Sequence, residues 1–252
     1  MLNRDRILSQ LNSHRYAQGL ILDDCVDSTN AKVKEMALHG AAEGVTLVAD
    51  TQTAGRGRLG RTFLSPEGGL YLSTLLRPAA DADPARITCC AAVAAARALE
   101  SLCDVTIDIK WVNDLYIHNR KVAGILAEGV LTPEGDLSAV VLGIGINLYG
   151  TLPAELDGIA TTLEQQGATL SREDVAAAFL NEWERVYTAP DTAAVMAEYR
   201  RRNLVLGRSV TVVQGNRTYA ATVTAITDGG HLLVSTPDGE RELSSGEVSL
   251  RL

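Results

Sequence analysis

The segment Gly55-Arg56-Gly57-Arg58-Leu59-Gly60-Arg61 interleaves glycines with arginines. Glycine lets the backbone approach a ligand closely, because no Cβ stands between them. Guanidinium groups are planar, permanently charged forks that match a carboxylate or a phosphate. Further along, Lys110-Trp111-Val112-Asn113-Asp114 and Lys121-Val122-Ala123-Gly124-Ile125-Leu126-Ala127-Glu128 place two lysines at either end of a hairpin, where both can point into one cleft. Several cations with few acids suit a reaction that spreads negative charge over phosphoryl oxygens. Each part also has an ordinary reading. A Gly/Arg loop can be plain surface, a lysine can guard a strand edge, Trp111 can be core or cleft wall, and Asn113 can serve a turn.

The loop satisfies the G-x-G-x-x-G spacing, which a dinucleotide fold places between a strand and a helix. Thr46-Leu47-Val48-Ala49 supplies the strand. The following Thr62-Phe63-Leu64-Ser65-Pro66-Glu67-Gly68-Gly69 cannot open a regular helix, and Leu70 to Leu76 reads as another strand. Without a helix N-terminus the dinucleotide reading loses its phosphate site. A kinase-type loop does lie between strands, but no H-R-D or D-F-G element accompanies this one.

The elements that must hold these residues follow from pattern. A short helix runs to Leu11, with Leu2, Ile7, Leu8 and Leu11 on one side, and Leu20-Ile21-Leu22 reads as a strand. Asp27-Ser28-Thr29-Asn30 offers cap residues to a helix reaching Leu38 and closed by Gly40. Pro84 starts a long alanine-rich helix through Leu102. The texture is then β: Thr106 to Ile109, Leu115 to Ile117, a turn at His118-Asn119-Arg120, Val122 to Val130, a turn at Pro133-Glu134-Gly135, and Leu137 to Leu148 with Gly143 and Gly145 inside. Ser171 caps a helix to Tyr187, and another runs from Thr192 to Arg202. After Gly207 come short strands at Val210 to Val213, Thr218 to Ile226, Leu232 to Val234 and Glu242-Leu243, which resemble a small SH3-like barrel. The expectation is an α+β fold, a mixed sheet with flanking helices over 1–205, followed by an all-β domain over 206–252.

The 252 residues are 46% hydrophobic and 21% charged, with 23 Lys plus Arg against 31 Asp plus Glu and a net charge of -8. That acidic balance argues against a nonspecific nucleic-acid binder and makes the arginine loop a local positive site. Cys25, Cys89, Cys90 and Cys103 form no C-x-x-C pair, and Cys89 and Cys90 read as buried thiols of the alanine-rich helix. His14, His39, His118 and His231 are scattered and read as solvated or lightly packed. No signal-type core or membrane-length run is present, so a cytoplasmic, reduced protein is expected.

Five blocks, Asp27-Ser28-Thr29-Asn30, Gln52 with the arginine loop, Lys110 to Asp114, Lys121 to Leu126, and Gly143-Ile144-Gly145-Ile146-Asn147, occur in the order that resembles biotin–protein ligases, and the C-terminal β domain matches as well. The resemblance implies a catalytic domain like that of class II synthetases. It also implies the ligase-only class, since the N-terminal winged-helix domain of the bifunctional members is absent, and hence no DNA partner. Biotin and ATP would be substrates, with Mg2+ accompanying ATP, and biotinyl-5′-AMP the intermediate. The acceptor would be a lysine of a biotin carboxyl carrier domain of a carboxylase such as acetyl-CoA carboxylase. A homodimer is common among such proteins.

Carried over by position, the resemblance gives Ser28, Thr29 and Gln52 to the ureido ring, with Asn30, Arg56 and Gly57 lining the same pocket. Arg58 and Arg61 would lie nearest the phosphates on a lid that closes over the ligand. Lys121 would contact the biotin carboxyl and the α-phosphate as the principal catalytic group, aided by Arg58 and Lys110. Lys110 and Asn113 would hold phosphates or metal, and Asn147 the adenine or ribose. The resemblance names no protein ligand for the metal. Val112 stands where the family usually has proline, implying a less rigid turn, and Phe63 where it often has tryptophan. The rival on the same fold is a lipoate or octanoate ligase or transferase. A biotin-sensing or binding module without turnover is a second rival.

Overall fold

The computed structural model describes residues 2–79, 81–189, 192–244 and 247–250. The expected domain ends at residues 1 and 252 lie outside these described residues. Helices α1 (Arg4–Gln10) and α2 (His14–Gln18) lead into strand β1 (Leu20–Val26), helix α3 (Thr29–Leu38), strands β2 (Thr46–Gln52) and β3 (Gly69–Leu76), and helix α4 (Pro84–Leu102). Strands β4 (Asp108–Lys110), β5 (Asp114–Ile117), β6 (Arg120–Leu131) and β7 (Leu137–Asn147) follow. Helices α5 (Arg172–Tyr187) and α6 (Ala193–Arg201) precede β8 (Ser209–Gln214), β9 (Arg217–Ile226), β10 (Leu232–Thr236), β11 (Gly239–Leu243) and β12 (Glu247–Leu250).

The first seven strands form one mixed sheet in the order β1-β2-β3-β7-β6-β5-β4. Only β1 and β2 run parallel, because α3 carries the chain back between them; the other pairs are antiparallel. The sheet is α+β, as the sequence implies. Ser28 caps α3 by accepting from the backbone N–H of Ala31, and Asp83 caps α4 with Pro84 at its first position. The alanine face of α4 lets it lie close against the sheet, in a core shared with α5 and with Leu70, Leu72 and Leu76 of β3. Alternation on β3 sends Leu75 to the opposite face, where it packs with Val33 and Ala37 of α3.

The C-terminal strands form a separate antiparallel sheet in the order β11-β10-β9-β8-β12. Two elements escape sequence pattern. Helix α2 has five residues, too few to show periodicity, and β12 follows a polar stretch. The expected strand at Thr106 begins instead at Asp108. The two sheets are joined by specific contacts. Trp111 Nε1 donates to Gly230 O at 2.8 Å, Arg200 Nε donates to Ile226 O at 2.7 Å, and Arg200 also pairs with Asp228. His231 is not the lightly packed residue expected: its ring nitrogens lie 2.7 Å from Asp83 Oδ2 and 2.7 Å from Glu242 Oε1. Cys89 and Cys90 are buried as expected, and burial pushes the Cys90 thiol up to about 11.

Candidate active site

Lysine and arginine side chains cannot pool their charge unless backbone elements aim them at one place. Here the α3 face of the sheet does so. A cavity of about 400 Å³ opens over it, lined by Ser28, Thr29 and Asn30 from the start of α3 and by Gln52 at the end of β2. Arg56, Gly57, Arg58 and Arg61 come from the arginine loop, Lys110 and Asn113 from the β4–β5 turn, and Lys121 from the start of β6. The volume is in the range of small-molecule sites. Five cations and one lining carboxylate, Asp114, meet there.

The arginine loop is a hairpin. Phe63 N donates to Gly55 O at 2.9 Å, Gly57 N to Arg61 O at 2.7 Å, and Gln52 N to Ser65 O at 3.2 Å. Arg56 and Thr62 form an antiparallel bridge. No helix follows, in line with the rejection of a dinucleotide fold. Glycine is needed at Gly60, which has φ 75°, and at Gly55, where a Cβ would lie 2.3 Å from Phe63 O. Gly57 is extended, with space for a Cβ at ordinary contact. Arg58 reaches Asn113 Oδ1 at 3.4 Å, with its guanidinium carbon 5.8 Å from the Trp111 ring centre.

The Lys110-to-Asp114 turn is held from several sides. Its Trp111–Val112 peptide is cis. Tyr199, fully buried in α6, donates its hydroxyl to Val112 O at 3.0 Å. Asn113 is clamped to β6, its Nδ2 donating to Ile125 O and its carbonyl accepting from Ile125 N, each at 2.9 Å. Lys121 Nζ lies 2.7 Å from Asp114 Oδ1 and 5.7 Å from the Phe63 ring centre. Gly124 makes room for that crossing, since a Cβ there would be 3.2 Å from both Lys121 Nζ and Phe63 Cε2. Phe63 in turn lies on Gly145, where a Cβ would be 2.4 Å from its ring.

At the neutral end, Thr29 N donates to Gln52 Oε1 at 2.8 Å and Gln52 Nε2 donates to Ser65 Oγ at 2.8 Å. Asn30 fills the space over Gly143, where a Cβ would be 1.9 Å from its Oδ1. The glycines of β7 thus remove side chains so that Asn30 and Phe63 can sit on the sheet.

Ser28, Thr29, Asn30, Gln52, Arg56, Gly57, Arg58, Arg61, Lys110, Asn113 and Lys121 all reach this cavity. Asn147 does not line it; its Nδ2 donates to Thr161 O at 3.2 Å beneath the segment after β7. That segment is a part of the wall that motif reading misses. Its backbone docks on Lys121 through Lys121 N to Ile159 O at 2.9 Å and Thr161 N to Lys121 O at 2.8 Å, bringing Leu156 and Ile159 to the cavity. Ile159 is exposed, and nothing in the sequence marks this stretch, because its place in the wall depends on docking to β6. Asp114 was legible as a motif residue but not as the partner of Lys121. No cluster of three His, Cys, Asp or Glu side chains able to hold a metal occurs among the described residues.

The family model for the Biotin/lipoate A/B protein ligase family matches residues 22–147, and that for the biotin protein ligase C terminal domain matches residues 205–251. The chain is 33% identical to the bifunctional ligase/repressor BirA of Bacillus spizizenii, over 99% of this chain and 79% of that protein. It is 30% identical to a biotin–[acetyl-CoA-carboxylase] ligase of Mycobacterium tuberculosis, over 98% of both chains. Among solved structures, the biotin protein ligase of Aquifex aeolicus in complex with biotin and ATP superposes with a TM-score of 0.80 at 33% identity, covering 93% of this chain and 99% of that one. With the hairpin, the lysine pair and the polar seat in one cavity, and with these matches along its length, the chain belongs to the biotin protein ligase family.

Proposed function

We propose that this protein activates biotin with ATP and transfers it to a lysine of a biotin carboxyl carrier domain, as a biotin–[acetyl-CoA-carboxylase] ligase. The observation that carries this reading is one cavity containing both a neutral polar seat and five cations. Thr29, Gln52 and Ser28 offer hydrogen-bond partners to a ureido head, whereas an alkyl or dithiolane head would leave them unpaired. The lipoate and octanoate alternative is therefore not favoured, and the Mycobacterium tuberculosis and Aquifex aeolicus relatives carry the names of biotin ligases.

In the first step a biotin carboxylate oxygen bonds to the α-phosphorus of ATP as the bond to pyrophosphate breaks. Charge builds on phosphoryl oxygens, and Lys121, Arg58, Arg61 and Lys110 are placed to stabilise it. Asp114 holds the Lys121 ammonium at 2.7 Å, so the catalytic cation is positioned before substrate arrives. Magnesium enters as part of the Mg-ATP substrate; Asn113 and Asp114 are among the oxygen-bearing side chains that line the cavity. In the second step the acceptor lysine nitrogen bonds to the acyl carbon, AMP leaves, and the nitrogen gives up a proton. Arg56 and Arg58 on the hairpin serve as the lid that keeps water from the mixed anhydride.

The same reading divides the chain at about residue 205, between the two sheets, and makes the C-terminal unit SH3-like. It places the enzyme in the cytoplasm, with a carrier domain and not DNA as its macromolecular partner. Among the described residues no helix is long and apolar enough to cross a membrane. A homodimer through the main sheet would use one of its end strands, β1 or β4. Incubation with Mg-ATP, biotin and a carrier domain, followed by intact-mass measurement, is expected to show one biotinyl group on the acceptor, and none when lipoate replaces biotin. An acceptor whose mass stays constant at saturating substrate would overturn the proposal.

A further inference from the structure

A chain of polar side chains runs behind the cavity wall and ends on the wall itself. Asn30 Nδ2 donates to Glu128 Oε2 at 2.7 Å and reaches Leu126 O at 3.3 Å. Asn30 Oδ1 lies 2.6 Å from Ser73 Oγ, and Ser73 Oγ lies 2.7 Å from Thr29 Oγ1. Thr29 Oγ1 is in turn 3.1 Å from Gln52 Oε1. Thr29 and Gln52 line the cavity, while Ser73 and Glu128 stand outside it.

Two hydroxyl protons serve three oxygen–oxygen contacts along this chain, so one contact goes without a proton, and the longest, Thr29 to Gln52 at 3.1 Å, is the one that costs least. A carboxylate and a backbone carbonyl only accept, so Asn30 must turn its NH2 toward Glu128 and Leu126 O and its carbonyl oxygen toward Ser73. That carbonyl also only accepts, so the single Ser73 hydroxyl proton is directed to it. The short Ser73–Thr29 contact still needs a proton, and the Thr29 hydroxyl is the remaining source. The opposite order would press two acceptor oxygens together at 2.6 Å with no hydrogen between them. The Thr29 proton is therefore drawn away from the cavity. Thr29 Oγ1 and Gln52 Oε1 are left as two acceptors 3.1 Å apart on the wall.

We propose that Ser73, its proton committed to the Asn30 carbonyl oxygen, is a positioning residue that fixes the Thr29 hydroxyl as an acceptor, so that Thr29 Oγ1 and Gln52 Oε1 jointly receive a ring N–H of a cyclic urea. This deepens the ligase reading and rests on it. The polarity of the seat is set behind Thr29, through Ser73 and Asn30, by acceptor-only groups. An acid with an apolar head brings no donor, and its entry buries both acceptors unpaired.

The test compares biotin with two isosteric analogues, in each of which one ring N–H is replaced by oxygen, using calorimetry on the full chain. The unaltered protein is expected to bind one analogue about tenfold or more weakly than biotin. Ser73→Ala and Ser73→Gly free the Thr29 proton to turn toward the ligand, so the biotin-to-analogue ratio should narrow to about threefold or less. A general loosening of the pocket would weaken both ligands alike and leave the ratio unchanged. Two variants are used so that a folding failure in one leaves the other to decide, with thermal melts confirming the fold. Equal binding of biotin and both analogues by the unaltered protein, or an unchanged ratio in the variants, overturns the wiring while the ligase reading stands. Absence of biotin binding by the unaltered protein removes both.

Discussion

Lys121 illustrates how much a single residue owes to its neighbours. Its ammonium is held by Asp114 at 2.7 Å, crosses the open face of Gly124 and sits beside the Phe63 ring. In the proposed mechanism, replacing it removes a cation from the point where negative charge would develop. Lys121→Ala is expected to slow adenylate formation by about 10²–10³-fold, the scale of losing one preorganised electrostatic contact. Pyrophosphate release measured in a single turnover checks this; release at the normal rate would take Lys121 out of the mechanism. Residue types were fully legible here, since two lysines and three arginines in glycine-rich settings announce an anion site. The pairing with Asp114 was not, because it depends on the register of β5 against β6, which shifts between Leu115 and Tyr116.

At the scale of elements, the arginine hairpin and the β4–β5 turn form one unit. Arg58 joins them through Asn113 and the Trp111 face, and the turn is fixed from behind by Tyr199. The expectation of a less rigid turn at Val112 meets a segment tethered by Trp111, Val112 and Asn113 alike. Arg58→Ala removes the fork that links hairpin to turn. The adenylate is then expected to leave about tenfold faster or more, with its rate of formation reduced as well. Trapping the released adenylate after a single turnover measures this, and an unchanged dissociation rate would count against the lid. Glycine spacing alone had also allowed a dinucleotide and a kinase-type reading; strand-to-strand placement removed the first, and the missing H-R-D and D-F-G elements the second.

Across the whole molecule, the second sheet is fastened close to the site. Gly230 receives the Trp111 indole N–H, and the adjacent His231 bridges the N-cap of α4 to β11. Burial alone would lower the His231 pKa, but hydrogen bonds to Glu242 and Asp83 outweigh it and hold the imidazole above its ordinary value. A raised folded-state value means that the bridge is fully stabilising below the unfolded value and is lost as pH rises through the folded one. The stability difference between the unaltered protein and His231→Gln should therefore be larger at about pH 5.5 than at about pH 8.5. Thermal melts at the two pH values decide; a difference that stays constant or grows with pH would show that the imidazolium does not carry the clasp. Nothing in the sequence around His231 marks this role, because its partners lie at Asp83 and Glu242 on different elements.

The sequence by itself determined the elements, α2 and β12 excepted, and the residue types of the site. Caps at Ser28, Asp83 and Ser171, the alanine face of α4 and the arginine–glycine loop are local features, written in neighbouring residues. Only the tertiary structure decided which groups work together. It set Asn147 to hold Thr161 and not to line the cavity, brought Leu156 and Ile159 to the wall, and chained Glu128 to Thr29 through Asn30 and Ser73. The physical reason is that donor and acceptor roles are settled between side chains far apart in sequence. A hydroxyl can give or receive, and its direction exists only once a fixed acceptor stands at the other end of the chain.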